Sequence, residues 1–144
     1  ELPGHPDHDN KGIEPLRELC SRLKVPVRWQ KAGELAVSEH IEAYKWKQLN
    51  PCRIVRLMEK ADRFPIGVKG LEIIVKCDRK GRKRENIRTG DIDSISQTAE
   101  RLFSEVDGSA VTGVEEGPEF GRELFKKRCK WVERELKRKK EGRN

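Results

Sequence analysis

Apolar residues recur at intervals of three and four in several stretches of this chain, and that period marks each of those stretches as an amphipathic helix with one face to bury. Ile13, Leu16, Leu19, Cys20 and Leu23 share one helical face, and Pro15 is tolerable there because it falls in the first turn. Ser38 is placed to cap a second helix over SEHIEAYKWKQL, with Ile41, Tyr44 and Leu49 on one side. Asn50 followed by Pro51 marks a third start, since Asn caps and Pro fits the first turn; Ile54, Val55, Leu57, Met58 and Ala61 then form the inward face. Ile95, Ala99, Leu102, Phe103 and Val106 mark another helix. A last one, from about Glu119, turns Phe125, Cys129, Val132 and Leu136 inward.

Three segments depart from that period. VPVRW, residues 25–29, combines β-branched and aromatic residues with a proline at its start, and reads as a short strand. LEIIVKC, residues 71–77, alternates Leu71, Ile73, Val75 and Cys77 with Glu72, Ile74 and Lys76, the pattern of a half-buried strand. AVTGV, residues 110–114, reads as a third strand within a glycine-rich loop. The expected fold class is therefore α+β: a small sheet packed by several amphipathic helices, with a long basic C-terminal helix. A flexible arm over residues 1–12, one domain over 13–136 and a basic tail over 137–144 complete the expected organisation.

Hydrophobic residues make up 34% of the chain and charged residues 40%, so its core must come from a few well-placed apolar faces. No run approaches the roughly 18 apolar residues of a membrane span, and no signal peptide is visible. Opening at Glu1 rather than Met points to a trimmed or processed product. Cys20, Cys52, Cys77 and Cys129 lie too far apart in sequence for a zinc motif. They are expected to be reduced, mostly buried thiols in a cytoplasmic or nuclear compartment. The cluster His5, Asp7, His8 and Asp9 holds metal-ligand chemistry, but a mobile polar terminus is the expected state.

The formal net charge of +7 favours a polyanion, DNA or RNA, through counterion release. Two basic regions carry the expectation. Arg79, Lys80, Arg82, Lys83, Arg84 and Arg88 surround a turn at Lys80 and Gly81, expected at the tip of a hairpin where guanidinium forks would meet phosphate. Lys126, Lys127, Lys130 and Arg134 lie on the last helix. Aromatic residues are 6% of the chain, too sparse for a platform that stacks successive bases on several rings. Backbone contact is the expected mode, without a cofactor. A protein partner meeting the charged helix faces is the rival reading.

Asp91 and Asp93 follow the first basic region and precede a helix. Paired carboxylates of this kind hold Mg²⁺ in phosphodiester hydrolysis. Acids before a helix start, here with Ser94-Ile95-Ser96-Gln97 at capping-box spacing, also serve as caps. LPGHP, EAYKW, LEIIVKC, RKGRKREN and GDIDSISQTAERLF stand in an order that resembles the RusA-type Holliday-junction resolvases, small dimeric nucleases. The resemblance implies Mg-dependent, structure-selective DNA cleavage, with Asp91 and Asp93 as metal ligands and Glu115 or Glu116 as the later acid. Ser94 and Gln97 stand where the family carries Asn and a catalytic Lys, and the long basic last helix has no counterpart there.

Overall fold

The computed structural model describes residues 11–81 and 95–141, and its described residues form six α-helices and two 3₁₀ turns with no strand. In chain order the helices are α1 (Ile13–Arg22), α2 (Val27–Tyr44), α3 (Pro51–Asp62), α4 (Gly67–Gly81), α5 (Ile95–Glu105) and α6 (Pro118–Glu141). The 3₁₀ turns, Trp46–Gln48 and Gly108–Ala110, lie between α2 and α3 and between α5 and α6.

The expected α+β class is thus corrected to an all-helical one. LEIIVKC lies inside α4, where Val68, Leu71, Glu72 and Val75 are buried at helical spacing while Ile73 stands exposed. A run containing two isoleucines and a valine fits either period. β-Branching costs a helix only tenths of a kcal/mol per residue, which packing of an apolar face overrides. VPVRW corrects in the same way: Pro26 occupies the N-cap of α2, and Val27 and Trp29 form its first turn. Ser38 is inside α2 rather than at its start, its hydroxyl donating to the Leu35 carbonyl at 3.4 Å. The segment AVTGV contains the end of a 3₁₀ turn and no strand.

Helices α3 and α4 share the centre of the packing. Helix α3 lies most extensively against α6 and also touches α2 and α4, while α4 packs against α2 and α5. Asn50 caps α3 by accepting the Arg53 backbone N–H at 2.9 Å, and Pro51 takes the first helical position. Ile54, Val55, Leu57, Met58 and Ala61 are all buried. They join Leu35, Trp46, Leu71, Val75, Ile95, Leu102 and Val132 in one cluster. Helix α1 lies on α2, where Gly33 permits close approach: a Cβ there would sit 3.0 Å from a Leu16 methyl.

So few apolar residues leave the helix seams partly polar, and opposite charges fill them. Arg17 bonds Glu34 at 2.7 Å between α1 and α2, and Arg53 grips both oxygens of Glu42 at 2.6 Å between α3 and α2. Lys60 pairs with the buried Glu39. On α6, Arg128 reaches Glu59 of α3 at 2.8 Å and the Val106 carbonyl at 3.1 Å, with its guanidinium 5.0 Å from the Phe103 ring centre. All four cysteines are free; Cys20 and Cys129 are buried, Cys52 and Cys77 exposed.

Candidate nucleic-acid interface

Helix α6 is a 24-residue element whose two sides have opposite characters. Cys129, Trp131, Val132 and Glu135 are buried, and Leu124, Phe125 and Leu136 pack partly against the core. Among its residues ten are basic and five acidic, a surplus that makes up most of the chain's +7. Arg122, Lys126, Lys130, Arg134 and Arg138 follow one another at four-residue steps and are all exposed. At 1.5 Å per residue they form a winding cationic stripe about 24 Å long.

Not every base in the stripe is equally available. Lys126 is held by Glu123 at 2.6 Å, and Arg138 by Glu135 at 3.0 Å. Lys137, beside the stripe, binds Glu133 at 2.9 Å, a contact that keeps its ammonium above the ordinary lysine range. Lys127 donates to the Ala110 carbonyl at 2.6 Å and so ties α6 to the preceding 3₁₀ turn. Lys130 and Arg134 form no ion pair among the described residues and are the bases most available to a phosphate. Exposed pairs such as Lys126–Glu123 are weak because solvent screens them, so a polyanion can exchange for the carboxylate.

Behind the stripe, the inner side of α6 is fixed by a polar network with α5. Arg101 donates to Glu135 at 2.8 Å, and the Trp131 indole N–H donates to Glu105 at 2.7 Å. The Arg101 guanidinium lies 5.4 Å from the Trp131 ring centre. Burial is the largest influence on Glu135 and opposes its ionisation. The bonds from Arg101 and Arg138 together outweigh it and hold the carboxyl below the usual range. Trp131 and Trp46 are 7% and 1% exposed and belong to the core, whereas Trp29 is 58% exposed.

The other basic region begins in a different setting from the one expected. Arg79, Lys80 and Gly81 form the last turn of α4, not a hairpin tip. Lys80 is exposed, and the Arg79 guanidinium lies 4.5 Å over the Tyr44 ring at the end of α2. Arg82, Lys83, Arg84 and Arg88 lie outside the described residues, as do Asp91, Asp93 and the cluster His5 to Asp9. Glu115 and Glu116 are exposed in the link before α6, and no metal-binding group of three or more His, Cys, Asp or Glu occurs among the described residues. The start of α5 is held from a distance: Glu72 of α4 accepts the Ser96 backbone N–H at 2.9 Å and binds Lys76 at 2.9 Å.

Sequence reasoning picked out Lys126, Lys127, Lys130 and Arg134 as contacts and placed Arg138 on the outer face of the same helix, but missed Arg122 as a member of the stripe. The four-residue step from Lys126 to Lys130 to Arg134 was the signal that extends both ways. It also missed Arg128 as a structural base and Glu72 as a cap, and neither is visible without tertiary contacts.

The fold and this face define an all-helical domain with a cationic helix along its surface. Over 135 residues the chain is 28% identical to multifunctional CCA proteins from two strains of Stenotrophomonas maltophilia, a match covering 92% of this chain and 33% of each relative. Over 84 residues it is 34% identical to a multifunctional CCA protein of Acinetobacter baumannii, 57% of this chain and 20% of that relative. The chain therefore spans a third or less of the relatives' length. No family model matches it, and no solved structure matches it. Among the described residues, no helix is long and apolar enough to cross a membrane.

Proposed function

We propose that this chain is an RNA-binding helical module, related in part to the CCA proteins, that holds a phosphate backbone along the exposed stripe of α6. The observation that carries the reading is the pair Lys130 and Arg134. Both are exposed, they lie one turn apart on a helix anchored by its opposite side, and neither is engaged in an ion pair among the described residues. Their charge is thus already displayed, and binding need not first break a protein contact. Arg122, Lys126 and Arg138 extend the same surface, with Arg79 and Lys80 at the end of α4 as further cationic contacts. The mode is backbone recognition, which positions a nucleic acid without reading its bases. The matched relatives' name, CCA protein, favours RNA over DNA as the polyanion.

The test is fluorescence anisotropy with a blunt RNA hairpin, duplex DNA of equal length, and several salt concentrations. The parent is expected to prefer RNA, with affinity falling steeply as salt rises because condensed counterions are released. Lys130→Ala with Arg134→Ala should weaken binding and reduce the logarithmic salt slope by about one to two, roughly one for each lost phosphate contact. Salt-independent binding, or an unchanged slope in the double variant, would remove α6 from the interface.

A further inference from the structure

Helices α2 and α4 end beside each other, and their last turns bring a ring and a guanidinium together. Tyr44, the final residue of α2 and the only tyrosine of the chain, is 44% exposed. Arg79 in the last turn of α4 lies over its ring at 4.5 Å from the centroid. Exposed Lys45 and Lys80 are the next residues on the two chain segments. The basic groups have a local role, since cations near helix C-termini offset the macrodipole. That role explains the charges but not the exposed ring. Core packing does not require it either, because neighbouring Ala43 and Trp46 are buried while Tyr44 points to the surface.

We propose that Tyr44 and Arg79 form a stacking site for one unpaired nucleobase of a bound RNA, with Lys45 and Lys80 meeting its flanking phosphates. The proposal rests on the RNA reading above and adds a place where the strand leaves its helix. A base is recognised here by its flat face. An aromatic ring and a guanidinium plane both stack on bases, and such contacts tolerate any base identity. One ring suits one splayed base, in keeping with the low aromatic content that excludes a multi-base platform.

The probe is an RNA hairpin with a short single-stranded 3′ extension carrying 2-aminopurine between pyrimidines, compared with the blunt hairpin. Parent protein should quench the 2-aminopurine emission and bind the extended hairpin more tightly than the blunt one. Tyr44→Leu should abolish the quench and weaken binding to the extended hairpin by about 5- to 100-fold, the range of one lost base–aromatic stack. Its affinity for the blunt hairpin should be unchanged, and Tyr44→Phe should retain the parent's behaviour. Parent protein that binds both hairpins without quenching would overturn the stacking site and leave the α6 reading standing. Loss of blunt-hairpin binding in Tyr44→Leu would assign Tyr44 a folding role and also overturn the site. Parent protein that binds neither RNA would overturn both proposals.

Discussion

The Ser96 backbone N–H donates to the Glu72 carboxylate at 2.9 Å, so the first turn of α5 is held by an acid from the middle of α4. The first N–H groups of a helix have no partner within it, and here a buried side chain supplies one. Lys76, one turn beyond Glu72, balances the charge. Glu72→Ala should therefore destabilise the domain by about 1 kcal/mol, the usual net loss of one hydrogen bond, since the Ser96 donor is only part-buried. Amide hydrogen exchange near Ser96 should accelerate more than exchange in α3. Uniform acceleration throughout the chain would contradict a local capping role.

Acid should destabilise the fold through the same group and through Glu135. For Glu72, burial is the largest influence and opposes ionisation, but the bonds from Lys76 and Ser96 prevail and its carboxyl titrates below the ordinary value of 4.5. Glu135 is also lowered from 4.5, with Arg101 and Arg138 overcoming the effect of burial. Because both pKa values are lower in the folded state, the unfolded chain takes up protons first. The stabilisation is complete above the ordinary carboxylate range and disappears as pH falls through and below it. Urea midpoints should decline from pH 6 to pH 3, and the decline should be shallower in Glu72→Gln and Glu135→Gln.

Two arginines six residues apart on α6 should separate stability from binding. Arg128 bonds Glu59 and the Val106 carbonyl and lies over Phe103. Arg128→Ala should cost about 2–4 kcal/mol, since it leaves a half-buried acid unpaired as well as removing packing. Arg128→Lys should recover only part of this, because an ammonium lacks the planar fork. Arg134→Ala should change stability by less than about 0.5 kcal/mol, as is usual for an exposed site. Thermal melts and RNA titrations on both variants check the contrast.

The tryptophans offer an optical check. Trp29 is exposed while Trp46 and Trp131 are buried, so acrylamide should quench mainly Trp29. Trp29→Phe should remove most of that accessible emission with little change in melting temperature. Trp131→Phe should lower the melting temperature, since it removes buried ring surface and the indole bond to Glu105. Equal quenching of all three residues would contradict the packing of α6 against α5.

Much of the helical arrangement is legible in sequence, but unevenly. The Asn50-Pro51 start and the complete inward face of α3 could be read directly, because cap chemistry and periodicity coincide there. In α4 the β-branched run obscured the helical period, and the missing clue was Val68, which pairs with Leu71, Glu72 and Val75. On α1 the apolar face was recognised, yet Leu19 and Leu23 remain exposed; periodicity locates a face without establishing what covers it. At the interface the basic character of α6 was visible from composition. Which bases are committed was not, because Lys127 is occupied by Ala110 and Arg128 by Glu59 through folding of distant segments.

The bond between Arg128 and Glu59 spans 69 residues of sequence. Its consequence concerns the order in which the chain can mature. The most extensive surface contact of α3 belongs to α6, so Ile54, Leu57 and their neighbours are made well before that cover is available. Such sequence-distant closure slows folding, because loop entropy is lost before the contact is gained. A nascent chain ending after α5 should therefore be adhesive and protease-sensitive, and the emergence of α6 should be the event that releases it from a holding chaperone.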